Sequence, residues 1–319
     1  MQIFTNVWGY VEPVSPWFRN KFWLPYLLMA GLLTMLVWRK KADETVTNKP
    51  NSEGAFSWGG TACLAVIFLG TAGSAVYTTR TQAFESQDNA IVVMTYNIQQ
   101  ANNEDGERSY KQQLALIQQV SPDVLALQES DSTRISLNNN DYVRYYAGKL
   151  GYYSYFGPTT VTGTYGTTIL SKYPLQNTRT VFSFSDQDEI GTAVAEIEVG
   201  GRLFSIYNVH PDGSDTANLA WAETLLSQSE DKENVIALGD YNLRDYEAAY
   251  QLIAGTYTNA WESVYPSKIS TDGIDMSGEN RIDHIFFSRS LRVRNPIYVL
   301  PPTSATDHPV HWAEIFWDK

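Results

Sequence analysis

The chain has one cysteine, Cys63, in 319 residues. That excludes an internal disulfide framework and a cysteine-based zinc site. Cys63 lies in an apolar run, where a small buried hydrophobe is the expected role. Histidine is also scarce: only His210, His284, His308 and His311 are available for imidazole chemistry. Basic residues are few, 23 Lys/Arg against 35 Asp/Glu, for a formal net charge of −12. The shortage is uneven. Residues 1–87 hold seven Lys/Arg and five acids, while 88–319 hold 16 and 30, a net −14. A body that acidic lacks the counterion release that dominates nucleic-acid affinity, which argues against a grip on a phosphate backbone. No internal repeat or low-complexity segment is present. What remains is rich in apolar residues (43 %, with 13 % aromatic), enough for a sizeable core in one large domain or two small ones.

Two uncharged runs stand near the start, FWLPYLLMAGLLTMLVW at 22–38 and FSWGGTACLAVIFLGTAGSAVY at 56–77. Each is long enough for a membrane span, and Trp17, Trp23, Trp38, Trp58 and Tyr77 mark their ends as interfacial aromatics do. The alternatives are a cleaved signal peptide, for which the first run begins too far from Met1, or buried soluble helices. The expected organisation is a tail at 1–21, transmembrane helices at 22–38 and 56–77 joined by a loop at 39–55, a polar linker at 78–89, and a catalytic body at 90–319. Arg39, Lys40, Lys41 and Lys49 in the loop outnumber Arg19, Lys21 and Arg80 on the other side. The positive-inside rule then puts the loop in the cytoplasm and the body on the extracytoplasmic side.

From Ala90 the pattern becomes an α/β alternation. Buried strands are expected at 91–97, 121–130 and 234–242, and aromatic strands at 152–156 and 166–171. Helices are expected near 108–120, 139–150 and 216–229. Residues 192–210 alternate around Gly200–Gly201, a hairpin signal. HWAEIFW at 311–317 is expected to close the sheet.

Several strands end alike, an apolar run followed by a polar residue: Asn97, Glu129, His210, Asp240 and Asn242, then Asp283 with His284, and Asp307 with His308. Taken singly, such residues are turn formers or solvated caps. Together in one domain they supply the parts of a metal-assisted hydrolytic site at the edge of packed sheets. Glu129 and Asp307 are hard oxygen donors suited to Mg²⁺, with Mn²⁺ as the alternative; such an ion needs only one or two protein carboxylates. Asp283 can hold the ring of His308, fixing its tautomer and raising its basicity for proton abstraction from water. Asp240 can orient or deprotonate the same water, and the sequence does not divide the labour. His210, Asn97 and Asn242 are donors toward charge developing on a phosphoryl group. His284 and His311 read as structural or supporting histidines. The aromatic cluster Tyr142, Tyr145, Tyr146, Tyr152, Tyr153, Tyr155 and Phe156 reads first as core, with a membrane surface or a quaternary amine as the alternative.

TYN at 95–97, LQES at 127–130, GDYN at 239–242, RIDHIF at 281–286 and TDHPV at 306–310 resemble, in order, the motifs of the endonuclease/exonuclease/phosphatase superfamily. The resemblance covers about 90–319. It implies a four-layer αββα sandwich of DNase I type with Mg²⁺ at the strand ends. It also implies Asn97 and Glu129 at the metal, His210 and Asn242 at the phosphate, Asp240 at the nucleophile, and Asp283 with His308 as an acid/base pair. Tyr165, in TYGTTILSKYPL, is similar to a tyrosine that some members use near the phosphate. NVHP departs from the family in lacking threonine before the histidine. MTYNIQQ, RSYKQQLALIQQVSPDVLALQESD and ENVIALGDYN resemble, more narrowly, the C-terminal domain of the fungal proteins that remodel GPI-anchor lipids to ceramide, a family whose animal counterpart is the PGAP2-interacting protein. The expectation is a membrane-tethered, Mg²⁺-dependent phosphodiesterase acting on a phospholipid, sphingolipid or glycolipid phosphodiester. The competing expectations are a cell-surface nuclease and a non-catalytic binder of lipid head groups. Nothing in the sequence fixes the oligomeric state.

Overall fold

A computed structural model describes residues 27–35, 58–78, 81–82, 84, 89–131, 140–158, 165–184 and 189–318. The chain divides into two compact units, Met1–Arg80 and Thr81–Lys319. In the first, 27–35 (α1) and Trp58–Thr78 (α2) are helical. Leu27, Leu28, Leu32 and Leu33 on α1, and Val66, Ile67, Phe68 and Leu69 on α2, are exposed. Cys63 is exposed too, not buried as its apolar setting suggested, because the apolar residues around it on α2 cover no core. Among the described residues no helix is long and apolar enough to cross a membrane. The tail at 1–21, the loop at 39–55 and the rest of the run at 22–38 lie outside the described residues.

The second unit starts earlier than the polar linker suggested. Gln82 N–H donates to Gly151 O at 2.8 Å, and Phe84 meets Tyr152 edge-on at 5.5 Å. Gly151 ends a helix with φ +71, and a Cβ there would lie 2.6 Å from the Gln82 side chain. Only glycine allows both the left-handed cap and this contact.

Two six-stranded sheets follow. The first has the order β11-β12-β1-β2-β4-β3 and the second β5-β6-β7-β8-β10-β9. The strands are β1 (Ala90–Asn97), β2 (Val124–Asp131), β3 (Tyr153–Pro158), β4 (Tyr165–Ser171), β5 (Gln176–Phe184), β6 (Glu189–Val199), β7 (Arg202–Val209), β8 (Val235–Asp240), β9 (Thr258–Asn259), β10 (Asp283–Phe287), β11 (Arg292–Val299) and β12 (Val310–Phe316). Period-2 alternation sorts their side chains between two cores. Ile91 and Val93 of β1 meet Ile206, Leu238 and Ile285 between the sheets. Met94 and Tyr96 turn outward onto α3 (Tyr110–Val120) and α4 (Tyr142–Leu150), through Leu114, Ile117 and Tyr146. On the other sheet, Tyr207 and Ala237 face α5 (Asp215–Ser229) and α6 (Ala248–Thr256), through Trp221, Leu225 and Ile253. The layers are therefore helix, sheet, sheet, helix, with the short α7 (Ala260–Val264) beside β11. Tyr142, Tyr146 and Tyr152 are buried in the outer core, as the core reading of the aromatic cluster required.

Five elements were not expected: β5, β9, α6, α7 and β11. β11 takes the sheet edge, so β12 is second from the edge and does not close the sheet. RVRNPIYV carries two arginines and a proline, a pattern that hides a strand from apolar periodicity yet suits an unpaired edge.

Topology positions the site. β1–β2 and β7–β8 are the parallel pairs. Their C-terminal ends meet the start of β10, where Asp283 stands opposite Asp240. They also meet the start of β12, where His311 stands opposite Thr95.

Candidate active site

Asn97 ends β1, Asp240 ends β8, and His210 directly follows β7. Gly239 explains how β8 reaches the site: a Cβ there would sit 2.1 Å from Val209 O on β7. The backbones can approach that closely only at a glycine, and this brings Asp240 Oδ2 to 3.5 Å from His210 Nε2. Asp240 Oδ1 accepts the Asn242 N–H at 3.0 Å. Asn242 has φ 49, a left-handed turn that asparagine tolerates, and its Nδ2 donates to Pro211 O at 3.0 Å.

Glu129 is the strained member. It sits at φ 47 where the β2–β4 register shifts between Leu127 and Ser130. A left-handed glutamate costs on the order of 1–3 kcal/mol, and the bulge re-aims its side chain from the ladder toward the edge. Asn97 Nδ2 donates to Glu129 Oε1 at 3.3 Å and to Asp240 Oδ2 at 3.0 Å. One amide thus joins carboxylates from the two sheets, while its Oδ1 accepts the Gln99 N–H at 3.0 Å.

Asp283 is fully buried. Its Oδ2 is 3.2 Å from His308 Nδ1, which is also 3.7 Å from Asp240 Oδ2. Asp283 Oδ1 has no hydrogen-bond partner among the described residues. Burial, helped by the Asp240 charge and opposed by His308, raises the Asp283 carboxyl to about 7. Burial alone would lower His308, but Asp283 first, then Asp240 and Asp307, outweigh it and push the imidazole up to about 10. Both shifts run the same way: the buried pair retains a proton at neutral pH, between His308 Nδ1 and Asp283 Oδ2.

Asp307 is exposed and accepts the Thr306 hydroxyl at 3.2 Å. Among the described residues no hydrogen bond ties it to Asn97, Glu129 or Asp240. Tyr165 opens β4, half-buried, across from Asp131 on the strand that carries Glu129. His284 and His311 stay out of the cluster. His284 is fully buried, with Nε2 2.9 Å from Leu243 O, and burial lowers it well below the usual imidazole range. His311 stacks on Tyr298 with centroids 4.0 Å apart, has Nδ1 3.0 Å from Ile297 O, and is lowered to about 3 by burial.

The Endonuclease/Exonuclease/phosphatase family model matches residues 94–308, a span that holds every strand end just described. The chain belongs to that family. Its members are typically metal-dependent phosphoester hydrolases. The fold is similar to that of an endonuclease/exonuclease/phosphatase from Beutenbergia cavernae, with TM-score 0.59, 18 % identity and 72 % of each chain covered. It is also similar to the human Nocturnin catalytic domain with bound sulfate, with TM-score 0.56 and 20 % identity over 75 % of this chain and 100 % of that one. Protein cwh43 of Schizosaccharomyces pombe is 32 % identical over 95 residues, which is 30 % of this chain and 10 % of cwh43. The match thus spans a tenth of that relative, and it agrees with the narrower resemblance drawn from MTYNIQQ and the motifs after it.

The family's use of divalent metals fits the donor set. Ligand atoms of Asp240, Asp283 and His308 lie within 4.8 Å of one another. As a set these three compete with their own proton, because His308 and Asp283 hold one between them. Glu129 and Asp240 are better placed for a cation. They share a single neutral amide, and among the described residues no Lys or Arg pairs with either, or with Asp283.

Two supporting residues escaped the sequence reading. Asn208 Nδ2 on β7 donates across to Leu127 O at 2.8 Å and Thr168 O at 2.7 Å. Gln128 Nε2 donates to Asn208 Oδ1 at 2.7 Å, and Thr95 Oγ1 to Gln128 Oε1 at 3.2 Å. Both amides, and Thr95 with them, are fully buried and bolt the sheets together directly behind Glu129. The signal was present as two amides inside otherwise apolar strands, VLALQ and FSIYN.

Proposed function

We propose that the chain is a Mg²⁺-dependent phosphodiesterase, with Mn²⁺ as the alternative ion, acting on a lipid-linked phosphodiester. One observation carries the reading: Glu129 and Asp240 converge on one amide without a basic partner, beside the protonated His308–Asp283 pair. Glu129 would hold the ion, with Asn97 beside it and Asp307 at the rim, and the ion would neutralise charge on a phosphoryl oxygen. The remaining work belongs to the chain. Asp240 orients the attacking water and takes its proton, because the His308–Asp283 pair already carries one. His308, held by Asp283, donates toward the phosphoryl or leaving oxygen, and His210 and Asn242 add N–H groups on the same side. Tyr165, at the start of β4, would approach the phosphoryl group from that strand.

The lipid substrate is supported by the net −14 of residues 88–319 and by the two apolar runs, whose Leu27, Leu28, Phe68 and Leu69 are exposed. Tethering through those runs, with the second unit on the extracytoplasmic side, is part of the proposal. The test is a substrate panel with the full chain in detergent: sphingomyelin, phosphatidylinositol, GPI analogues, inositol phosphates and plasmid DNA. The expected outcome is head-group release from a lipid, abolished by EDTA and restored by Mg²⁺. Turnover of DNA with none on lipid vesicles would replace the lipid reading with a nuclease. Head-group binding without metal dependence or product would replace it with a non-catalytic binder.

A further inference from the structure

The buried amides behind Glu129 are placed more specifically than a join between two sheets requires. Glu129 stands in a bulge of β2. Leu127 is the last residue in register with Thr168 on β4, and the register resumes with Ser130 against Gly166. Gln128 and Glu129 therefore face the single residue Thr167, and Glu129 takes its left-handed φ of 47 there. Few residues other than glycine adopt such a backbone, and it persists only where the surroundings over-determine it.

The surroundings grip the bulge on every side. After it, Ser130 Oγ donates to Gly166 O at 2.8 Å and lies 2.7 Å from Thr168 Oγ1. Opposite it, Thr167 Oγ1 accepts the Ala193 N–H at 3.2 Å, which ties the facing residue to β6. Before it, the grip comes from the other sheet. Asn208 Nδ2 donates to both carbonyls of the last registered pair, Leu127 O at 2.8 Å and Thr168 O at 2.7 Å. Asn208 Oδ1 accepts from Gln128 Nε2 at 2.7 Å, which holds the side chain of the first bulge residue.

An amide is not the residue that packing alone would select at this position. Two residues earlier on β7, Ile206 fills the space between the sheets with apolar surface. Asn208 adds a desolvation cost and gains a fixed geometry, because a fully bonded buried network is rigid. Asn208 also stands two residues before His210, so the strand that leads to one site residue pins the bulge that carries another.

We infer that Asn208 is a positioning residue for the metal site: it locks the β2 bulge and so holds the Glu129 carboxylate toward Asn97 and Asp240 before any ion binds. The inference rests on the reading of Glu129 as the residue that holds the ion. The test uses the full chain in detergent. Mn²⁺ binding is followed by loss of the free-ion signal in electron paramagnetic resonance, and unfolding is followed separately in EDTA. Asn208→Ala should weaken Mn²⁺ binding by about 10–100-fold, the usual cost of losing a group that orients a metal ligand. The Mg²⁺ concentration for half-maximal turnover should rise by a similar factor, with most of the rate recovered at saturating Mg²⁺. Asn234→Ala supplies the comparison. Asn234 is also buried, and its Nδ2 donates to Leu203 O at 3.0 Å at the opposite end of the β7–β8 pair. Its loss should lower stability in EDTA and leave Mn²⁺ affinity unchanged. A folded Asn208→Ala with wild-type Mn²⁺ affinity overturns the role, as does an equal loss of affinity in Asn234→Ala. If Asn208→Ala does not fold, Gln128→Met decides, since it removes one bond to Asn208 at nearly constant volume. Several-fold weaker Mn²⁺ binding is then expected, and unchanged affinity overturns the role. A wild type that binds no Mn²⁺ removes the metal reading and this role with it. A wild type that binds Mn²⁺ but cleaves no phosphodiester loses the hydrolase reading alone, and the role of Asn208 stands or falls on the binding comparison.

Discussion

Two groups of acids lie on either side of the start of β10, one half-buried and one buried, and they are balanced in opposite ways. Asp245 and Glu262 surround Arg281, whose Nη2 is 3.0 Å from Asp245 Oδ2 and is also paired with Glu262, while Lys268 Nζ lies 2.6 Å from Asp245. Burial pushes the Asp245 carboxyl up, but Lys268 and Arg281 outweigh it and hold it below its usual value. Two residues along from Arg281, Asp283 faces Asp240 with histidines in place of lysine or arginine, and burial raises its carboxyl to about 7. The first cluster has its countercharge built in, and it stiffens the fold. The second leaves carboxylates short of positive charge, an arrangement that costs stability and persists where an external cation and a phosphoryl group complete it.

The sharpest way to break that contrast is to make the same change on both sides. Asp240→Asn keeps the shape and should cut turnover by about 10²–10⁴, the range for losing a positioned proton acceptor. The metal-free protein should be as stable as the wild type or more so, because an unbalanced buried charge is gone. Asp245→Asn should leave turnover within a few-fold and lower stability by about 1–3 kcal/mol through lost charged hydrogen bonds. Equal behaviour of the two variants in kinetics and in denaturant melts would erase the distinction. Arg281→Met probes the balanced side from its centre. Removing this cation, itself 1 % exposed, leaves Glu262 without a positive partner and Asp245 with Lys268 alone, and breaking a buried pair in this way costs about 3–5 kcal/mol at most. Denaturation followed by the fluorescence of Trp261, which is buried in the cluster with Met276 and Tyr298, reports the loss directly. A cost under about 1 kcal/mol would mean that Arg281 is not what holds this corner.

The contrast also marks how far the sequence could be read. RIDHIF and TDHPV were legible as short polar motifs beside apolar strands, and the structure brings Asp283 and His308 to 3.2 Å. The central strands were legible because burial on both faces gives apolar runs. β11 and β5 were not, since edge strands carry charge and polar residues that carry no periodic signal. α6 also escaped. The Glu129 bulge and the Asp240–Asp283 opposition depend on register, which pairing sets and local sequence does not. The countercharge of Arg281 was invisible for a similar reason: its partners, Asp245 and Glu262, come from a loop and from α7. Phe84 and Gln82 were hidden in a polar stretch whose composition reads as linker although its backbone joins the second unit.

The smallest effect separates two histidines three positions apart, His308 at the site and His311 behind it. His308 is raised from 6.5 to about 10, so the folded protein holds a proton that the unfolded chain releases over that interval. Its contribution to stability is complete below about pH 6.5 and is lost as the pH rises through about 10. His311 is lowered from 6.5 to about 3, so the unfolded chain binds the extra proton and the sign reverses. Its contribution is complete above about pH 6.5 and is lost as the pH falls toward 3. In EDTA, the stability difference between wild type and His308→Gln should therefore shrink between pH 6.5 and 10, while that between wild type and His311→Gln should shrink between pH 6.5 and 3. Parallel trends for the two variants would mean that the Asp283 and Asp240 carboxylates do not hold the His308 proton, and the assignment of Asp240 as the acceptor from water would lose its basis.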